Sequence, residues 1–362
     1  VSRALVDVRV EGVRTRAGGD TPALDGVSLH VRYGEFFAVL GPPHAGKTAL
    51  LRAIAGFEPL TAGHVLVDGQ EVGDRPPGRR GMGFVFHEGA LWPHLTVREH
   101  VAFGLELAGM VGTALDERLG RVLGRLALDA VATRRPAGLT LEQRRRLALA
   151  RALAVEPPVL LLDEPLAHLD PVARKALRIE LARLHRDLAV TTLCATRDAA
   201  DALALADRIA VMAEGRVLQV GDPETLYRRP VSRRVALALG AANFLPVRVV
   251  EVRELGVVVE TEGGDRVPVS GIGSFREGSR GVLVMRPEML ALSDAALARG
   301  PGLPGHVVQR VFEGARYLYE VDVRTAAPIR VELPAVETAV FRLGDRVRVE
   351  MPSDAVILLP EE

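Results

Sequence analysis

Phe36-Phe-Ala-Val-Leu40-Gly41-Pro-Pro-His44-Ala45-Gly46-Lys47-Thr48 is an apolar run opening into a loop of the form G-x-x-x-x-G-K-[ST], and a helix-like stretch, Ala49 to Ala55, follows it. Strand, glycine-bounded loop and helix, in that order, are the context in which this spacing holds phosphate. Glycine is needed where backbone must close on the anion. Amide hydrogens then converge at the helix N-terminus, an ammonium reaches the outer phosphates and a hydroxyl serves Mg2+. Gly41, His44, Ala45, Gly46, Lys47 and Thr48 are therefore the candidate phosphate-binding residues, with Thr48 also a metal ligand. Lys47 and Lys175 are the only lysines in a chain with 46 basic residues. Lysine at this position answers a specific demand, because a compact ammonium fits where a guanidinium fork does not. A glycine-rich connector that merely joins strand to helix is the plain alternative.

A second motif, Val159-Leu-Leu-Leu-Asp163-Glu164-Pro165, is an apolar strand that ends in two adjacent carboxylates. Alone it reads as the solvated end of a strand. Beside a phosphate loop, Asp163 becomes the candidate Mg2+ ligand, acting through water, and Glu164 the group that orients or deprotonates an attacking water.

Outward from these motifs, short apolar runs alternate with helical stretches as far as Leu239, which predicts an α/β domain with a largely parallel sheet. Between Gly89 and Thr140, Leu105, Leu107, Leu119, Val122, Leu123, Leu126 and Leu128 recur at near-helical spacing and predict a helical insertion. Val172 to Leu188 reads as an amphipathic helix with Leu177, Leu181 and Leu184 on one face. From Phe244 onward the pattern changes to short strands: Val247 to Val252, Val257 to Glu262, Val282 to Met285, Val307 to Val311, Tyr317 to Val323 and Val347 to Met351. These predict a small β-barrel or sandwich. The expected domains are 1–240, with a helical part at about 89–150, and 241–362, divided near Gly240 to Asn243.

Composition sets limits on function. In 362 residues, 48% hydrophobic and 25% charged, 46 acidic groups balance 46 basic ones, so no net field attracts nucleic acid and no nucleic-acid partner is expected. The single cysteine, Cys194, excludes a disulfide framework and a cysteine-rich zinc site. Val1 to Val10 lacks the pattern of a signal peptide, and no apolar run approaches the roughly 18 residues that span a bilayer. Any membrane role is expected to come through a partner.

With both motifs in place, the chain resembles the ATP-binding subunit of ABC importers, above all the subfamily with a C-terminal TOBE/OB-like domain that serves maltose, polyamine, ferric-iron, sulfate and molybdate systems. Matching segments are Gly81 to Phe86, Ala90 to Val97, Leu147 to Leu153, Leu166-Ala-His-Leu-Asp170 and Asp207 to Met212, then Gly221 to Tyr227, Ala242 to Pro246 and Arg286-Pro-Glu288. The resemblance covers essentially the whole chain. It implies an α/β P-loop NTPase, an ABC ATPase with a helical subdomain, followed by an all-β OB/TOBE-like domain. It also implies ATP and Mg2+ as cofactors, and a head-to-tail dimer, either a homodimer or a heterodimer with a paralogous ATPase. Transmembrane permease subunits and a solute-binding protein are the implied partners, and the implied place is the cytoplasmic face of the inner membrane. Asp170 falls on the family's D-loop.

Five places depart from the family. Leu139-Thr140-Leu141-Glu142-Gln143 stands for the signature Leu-Ser-Gly-Gly-Gln, whose amides face the partner's ATP. Leu141 and Glu142 replace glycines that let backbone approach phosphate. A like charge about 5 Å from phosphate costs roughly 3 kcal/mol at an effective dielectric near 20. Arg197 occupies the place of the γ-phosphate histidine, binding phosphate as a permanent cation but relaying no proton. His87 replaces the glutamine whose amide oxygen suits Mg2+. No aromatic occurs near Arg14 to Gly18 to stack on adenine, leaving Arg14 or Arg16 for that task or a solvated loop. Pro43 removes a loop donor, and His44 sits where the family favours glycine. Two readings follow: a slow ATPase that drives uptake of a solute such as polyamine or ferric iron, or a pseudo-ATPase serving as a regulatory or structural nucleotide-binding subunit.

Overall fold

The structure is a computed structural model, and it describes residues 6–16, 22–254, 256–271, 275–296, 302–336, 340–352 and 355–361. The chain divides into two compact units, 1–223 and 224–362. The division lies ahead of the Gly240 to Asn243 boundary expected from the change in pattern.

In the first unit the elements run β1 (Val8–Arg16), β2 (Pro22–Val31), β3 (Phe36–Leu40), α1 (Lys47–Ala55), β4 (Ala62–Val67), β5 (Gln70–Glu71), β6 (Met82–Val85), α2 (Val97–Leu107), α3 (Gly112–Arg125), α4 (Leu141–Ala154), β7 (Val159–Asp163), α5 (Pro171–Leu188), β8 (Thr191–Thr196), α6 (Ala199–Leu205), β9 (Arg208–Ala213) and β10 (Arg216–Gly221). Six strands form a sheet in the order β10-β9-β3-β8-β7-β6, parallel except for the β10 edge. Every residue of β3, β7 and β8 is buried, as befits parallel strands covered on both faces. Phe37, Val39, Leu161 and Leu193 point to the α1 side, where Leu50, Leu51 and Ile54 cover them. Phe36, Leu160, Leu162 and Cys194 point the other way, into a core shared with Leu147, Leu149, Leu177 and Leu181. Cys194 is a core thiol whose ionisation burial opposes strongly.

A second sheet, antiparallel in the order β2-β1-β4-β5, lay outside the sequence reading. The reason is local. Register shifts between Val10 and Val13, and again beyond Val13, break the period-two alternation of β1. The helical block forms as expected, with Leu105, Leu119, Val122, Leu123, Leu126 and Leu128 buried, but Leu107 at the end of α2 is 76% exposed and does not join the stripe. Asp170 caps α5, accepting from the Val172 and Ala173 amides at 3.0 Å, while Pro171 needs no acceptor at the first helical position.

The second unit holds α7 (Pro223–Arg228), α8 (Arg233–Ala238), β11 (Asn243–Arg253), β12 (Gly256–Thr261), β13 (Arg266–Gly271), β14 (Arg280–Met285), β15 (Ala291–Asp294), β16 (Gly302–Phe312), β17 (Arg316–Asp322), β18 (Ile329–Pro334), β19 (Arg346–Glu350) and β20 (Val356–Pro360). A closed barrel, β11-β12-β13-β20-β14, stands beside a five-stranded sheet, β15-β19-β16-β17-β18, over one valine-rich core. All six expected strands are present, and β13, β15, β18 and β20 are additional. Arg286 explains why 224–240 belongs here. Its buried guanidinium donates to the carbonyls of Ala236, Gly240 and Ala241 at 3.0–3.1 Å and stacks on Tyr227, holding the helical lead-in on the barrel.

Candidate functional site

Strand order assembles the site. β3 lies between β8 and β9, and β8 separates β3 from β7, so segments distant in sequence emerge at one sheet edge. Register puts them level, with Leu40 opposite Thr196, Asp163 opposite Ala195 and Leu162 opposite Val85. The loop at Gly41, the Asp163-Glu164 pair, Arg197 and His87 therefore meet at the C-terminal edge, where open α/β sheets bind ligands.

The loop has the geometry its glycines suggest. A Cβ on Gly41 would fall 2.3 Å from the Met212 carbonyl oxygen, and one on Gly46, at φ 97°, would fall 2.7 Å from that of Ala23. Backbone is thus wedged where no side chain fits. His44 takes the left-handed conformation at φ 63° without being glycine, a strained choice of the kind found at ligand-binding turns. Ala45 is buried beneath the loop. The loop feeds directly into α1, whose first amides have no intrahelical acceptor and point at the space above. Lys47 is 5% exposed. Its Nζ donates to the Gly41 and Pro42 carbonyls at 2.8 Å. Burial lowers the affinity of Lys47 for its proton, Glu164 and Asp163 oppose that, and Arg197 adds to it. Thr48 Oγ1 donates to Asp163 at 2.9 Å, and burial raises the Asp163 carboxyl. Two oxygen donors side by side, one an anion, fit a hard cation such as Mg2+.

Glu164 follows at the end of β7 with φ 48°. Its N–H donates to Ala195 O at 2.9 Å, and its carbonyl accepts from the Ala167 amide. Arg197 Nε and Nη2 both lie on Glu164 Oε2, at 2.8 and 2.7 Å, and His87 Nδ1 stands 3.6 Å from the same oxygen. The His87 Nδ1 atom is buried without a hydrogen-bond partner. Two residues that the sequence reading did not single out complete the cluster. Arg145, buried on α4, donates to the His87 and Ala167 carbonyls and so ties α4 to the loops after β6 and β7. His168 sets its ring edge-on to His87 at 5.6 Å. Neither carries a local signal, since both act across elements.

The segment 139–143 opens α4. Thr140 and Gln143 form a reciprocal capping box, Gln143 N to Thr140 Oγ1 at 3.2 Å and Thr140 N to Gln143 Oε1 at 3.0 Å. Leu141 is 38% exposed at the helix start. The Glu142 charge is not bare, contrary to the basis of the repulsion estimated from sequence: Arg146, one turn on, donates to its Oε1 at 3.0–3.1 Å. Arg146 also reaches Glu180 at 2.8 Å. The i,i+4 spacing of Glu142 and Arg146 was a readable signal for this pair. Arg14, one of the two arginines considered for adenine stacking, pairs instead with Asp25 at 3.4 Å; Arg16 is exposed, and 17–18 lie outside the described residues.

Comparison with known proteins identifies the chain's relatives. A family model described as ABC transporter matches residues 24–167, and one described as TOBE domain matches 283–359. The spermidine/putrescine import ATP-binding protein PotA of Mesorhizobium japonicum is 37% identical over 359 residues, 98% of this chain and 97% of that protein. The maltose/maltodextrin import ATP-binding protein MalK of Salmonella typhimurium is 38% identical over 363 residues, 99% of this chain and 94% of that protein. Among solved structures, the dimeric post-hydrolysis state of the ATP-binding cassette MJ0796, bound to ADP and Pi, matches with a TM-score of 0.55 and 29% identity, covering 60% of this chain and 98% of that one. By sequence over its whole length and by the fold of its nucleotide-site unit, the chain belongs to the ABC transporter ATP-binding family, among the import ATP-binding subunits that carry a C-terminal TOBE domain.

Proposed function

We propose that the chain binds Mg-ATP at the C-terminal edge of its parallel sheet and hydrolyses it slowly, as the energy-coupling subunit of an importer. The observation that carries this reading is the convergence of Lys47, Thr48, Asp163 and Glu164 on one edge through the order β3-β8-β7. Lys47 and the first amides of α1 hold the phosphates. Thr48 and Asp163 would hold Mg2+, which would neutralise phosphate charge there. Glu164 positions water for in-line attack and takes its proton. Arg197 supplies a fixed positive charge beside the outermost phosphoryl group, and His87 stands next to the Glu164 carboxylate. Thr140, Leu141, Glu142 and Gln143 are the face offered to the partner's nucleotide, and Asp170, at the start of α5, is the D-loop residue.

The proposed assembly is a dimer, of two copies or with a paralogous ATPase, docked on transmembrane permease subunits that a solute-binding protein feeds. Its place is the cytoplasmic face of the membrane. Similarity to a spermidine/putrescine import protein supports polyamine as the solute; ferric iron is the other class put forward, and similarity to a maltose/maltodextrin subunit adds a sugar to the uptake tests.

A second reading, a nucleotide-binding pseudo-ATPase, draws on the ion pair that engages Glu164. Single-turnover hydrolysis by the purified chain separates the two. A working enzyme loses nucleotide binding with Lys47→Ala and hydrolysis with Glu164→Gln. Binding with no Glu164-dependent phosphate release overturns the enzyme and supports the second reading.

A further inference from the structure

We propose that Arg197 is a switchable positioning residue: it pins the Glu164 carboxylate in the nucleotide-free chain and releases it only when an outermost phosphoryl group takes the guanidinium. Glu164 is thereby freed to face a water only once the guanidinium has been drawn away from it. The inference rests on the nucleotide-site reading above and adds a regulation to it.

Three observations carry it. First, both guanidinium contacts fall on one oxygen, Glu164 Oε2, at 2.7 and 2.8 Å, and His87 Nδ1 faces that same oxygen at 3.6 Å. An oxygen that already accepts two guanidinium N–H bonds has its lone pairs directed at them, and the carboxylate is held in that one orientation. Second, the two partners differ in freedom. Glu164 is only 13% exposed, and its backbone is held in a left-handed turn by bonds to Ala195 and Ala167. Arg197 is 42% exposed on a long flexible stem. A cavity of about 340 Å3, bordered by Pro43 of the phosphate loop, Glu164, His168, Arg174, Thr196 and Arg197, gives it room to turn. The moving part is the arginine.

Third, the charges balance without nucleotide. Asp163 and Glu164, consecutive at the end of β7, bring two negative charges to the edge where Lys47 and Arg197 bring two positive ones, with Arg197 directly on Glu164. A phosphoryl group reaching this space offers the guanidinium more charge and a better matched pair of oxygens than one Glu164 oxygen does. A diphosphate, one phosphoryl group shorter, leaves the Arg197–Glu164 pair closed.

The test measures binding of Mg-AMP-PNP and Mg-ADP to the full chain by calorimetry, for wild type, Arg197→Ala, Arg197→Lys and Lys47→Ala, together with a crystal structure of the AMP-PNP complex. Arg197→Ala is expected to weaken AMP-PNP by about tenfold, the worth of one charge-assisted contact, and ADP by less than about twofold. Arg197→Lys is expected to restore part of the loss. In the complex the guanidinium should lie on the outermost phosphoryl group, more than about 4 Å from Glu164, beyond ion-pair range. Equal weakening of both nucleotides marks a merely structural residue and overturns the proposal. No weakening of either, or an Arg197–Glu164 pair that persists in the AMP-PNP complex, overturns it as well. If wild type binds neither nucleotide and Lys47→Ala changes nothing, the nucleotide reading itself fails and takes this one with it. That pattern is distinct from a failure confined to Arg197.

Discussion

Replacing Arg146 by glutamine tests how the helix that opens with Thr140 is held. The guanidinium of Arg146 is 15% exposed and lies between Glu142, 36% exposed, and Glu180, 20% exposed, with a further bond to the Leu126 carbonyl at 3.2 Å. At contact distance and an effective dielectric near 20, each ion pair is worth about 5 kcal/mol before desolvation, and desolvation removes most of that. Solvent leaves the Glu142 pair less than about 1 kcal/mol. The more enclosed Glu180 is stranded when its partner goes, at about 2 kcal/mol. Arg146→Gln should therefore destabilise the first unit by about 2–3 kcal/mol in urea unfolding. The sole tryptophan, Trp92, lies in that unit against Arg151 of α4, so its fluorescence reports on the right region. The pH dependence has a definite sign. Burial already raises the Glu180 carboxyl, and Arg146 counteracts this. Without the guanidinium, Glu180 rises further above its unfolded value, so the folded variant gains protons, and stability, as pH falls through that raised range. The defect should be largest near about pH 8 and shrink toward about pH 5, and Glu180→Gln in the same chain should recover part of it. A loss below about 0.5 kcal/mol, or a defect that grows as pH falls, would refute the reasoning.

Three further outcomes are expected. Gly41→Ala forces a Cβ to within 2.3 Å of the Met212 carbonyl, which neither β3 nor β9 can relieve, so Kd for Mg-ATP should rise by more than about tenfold; an unchanged Kd would show that the loop relaxes. His100 is fully buried, accepting from Trp92 N at 2.9 Å with its other ring nitrogen on Thr96 O, and burial holds its affinity for a proton below the usual range. Its contribution is present above the unfolded pKa of about 6.5 and lost as pH falls toward the lower folded value, so His100→Gln should flatten the acid limb of the unfolding midpoint. Leu119→Ala, at a buried position, should cost about 3 kcal/mol in unfolding free energy, while Leu107→Ser at the exposed end of α2 should change it by less than about 0.5 kcal/mol; comparable losses would mean that Leu107 is covered in the working protein.

Much of this site was readable because its parts are local. The phosphate loop is eight consecutive residues flanked by a strand and a helix, and Asp163-Glu164 ends a run of buried leucines. Leu177, Leu181 and Leu184 marked α5 because a helix repeats its buried face every three to four residues. β1 escaped because its register shifts break the alternation, and the start of the second unit escaped because Arg286, just past β14, decides it. The expected bareness of Glu142 came from reading 139–143 without the next turn of the same helix, where Arg146 stands.

From sequence alone came the phosphate loop and the identity of the two carboxylates, which rest on local spacing, and the family resemblance, which rests on the order of such segments along the chain. Only the tertiary structure decided that Arg197 lies on Glu164, 33 residues away, that Arg145 ties α4 to the loops after β6 and β7, and that Thr48 meets Asp163, 115 residues apart. The Arg197–Glu164 and Thr48–Asp163 contacts depend on β8 lying between β3 and β7 and on the register of the three strands. Strand order is set by burial of both sheet faces across the whole unit, a collective property that no single stretch of sequence encodes.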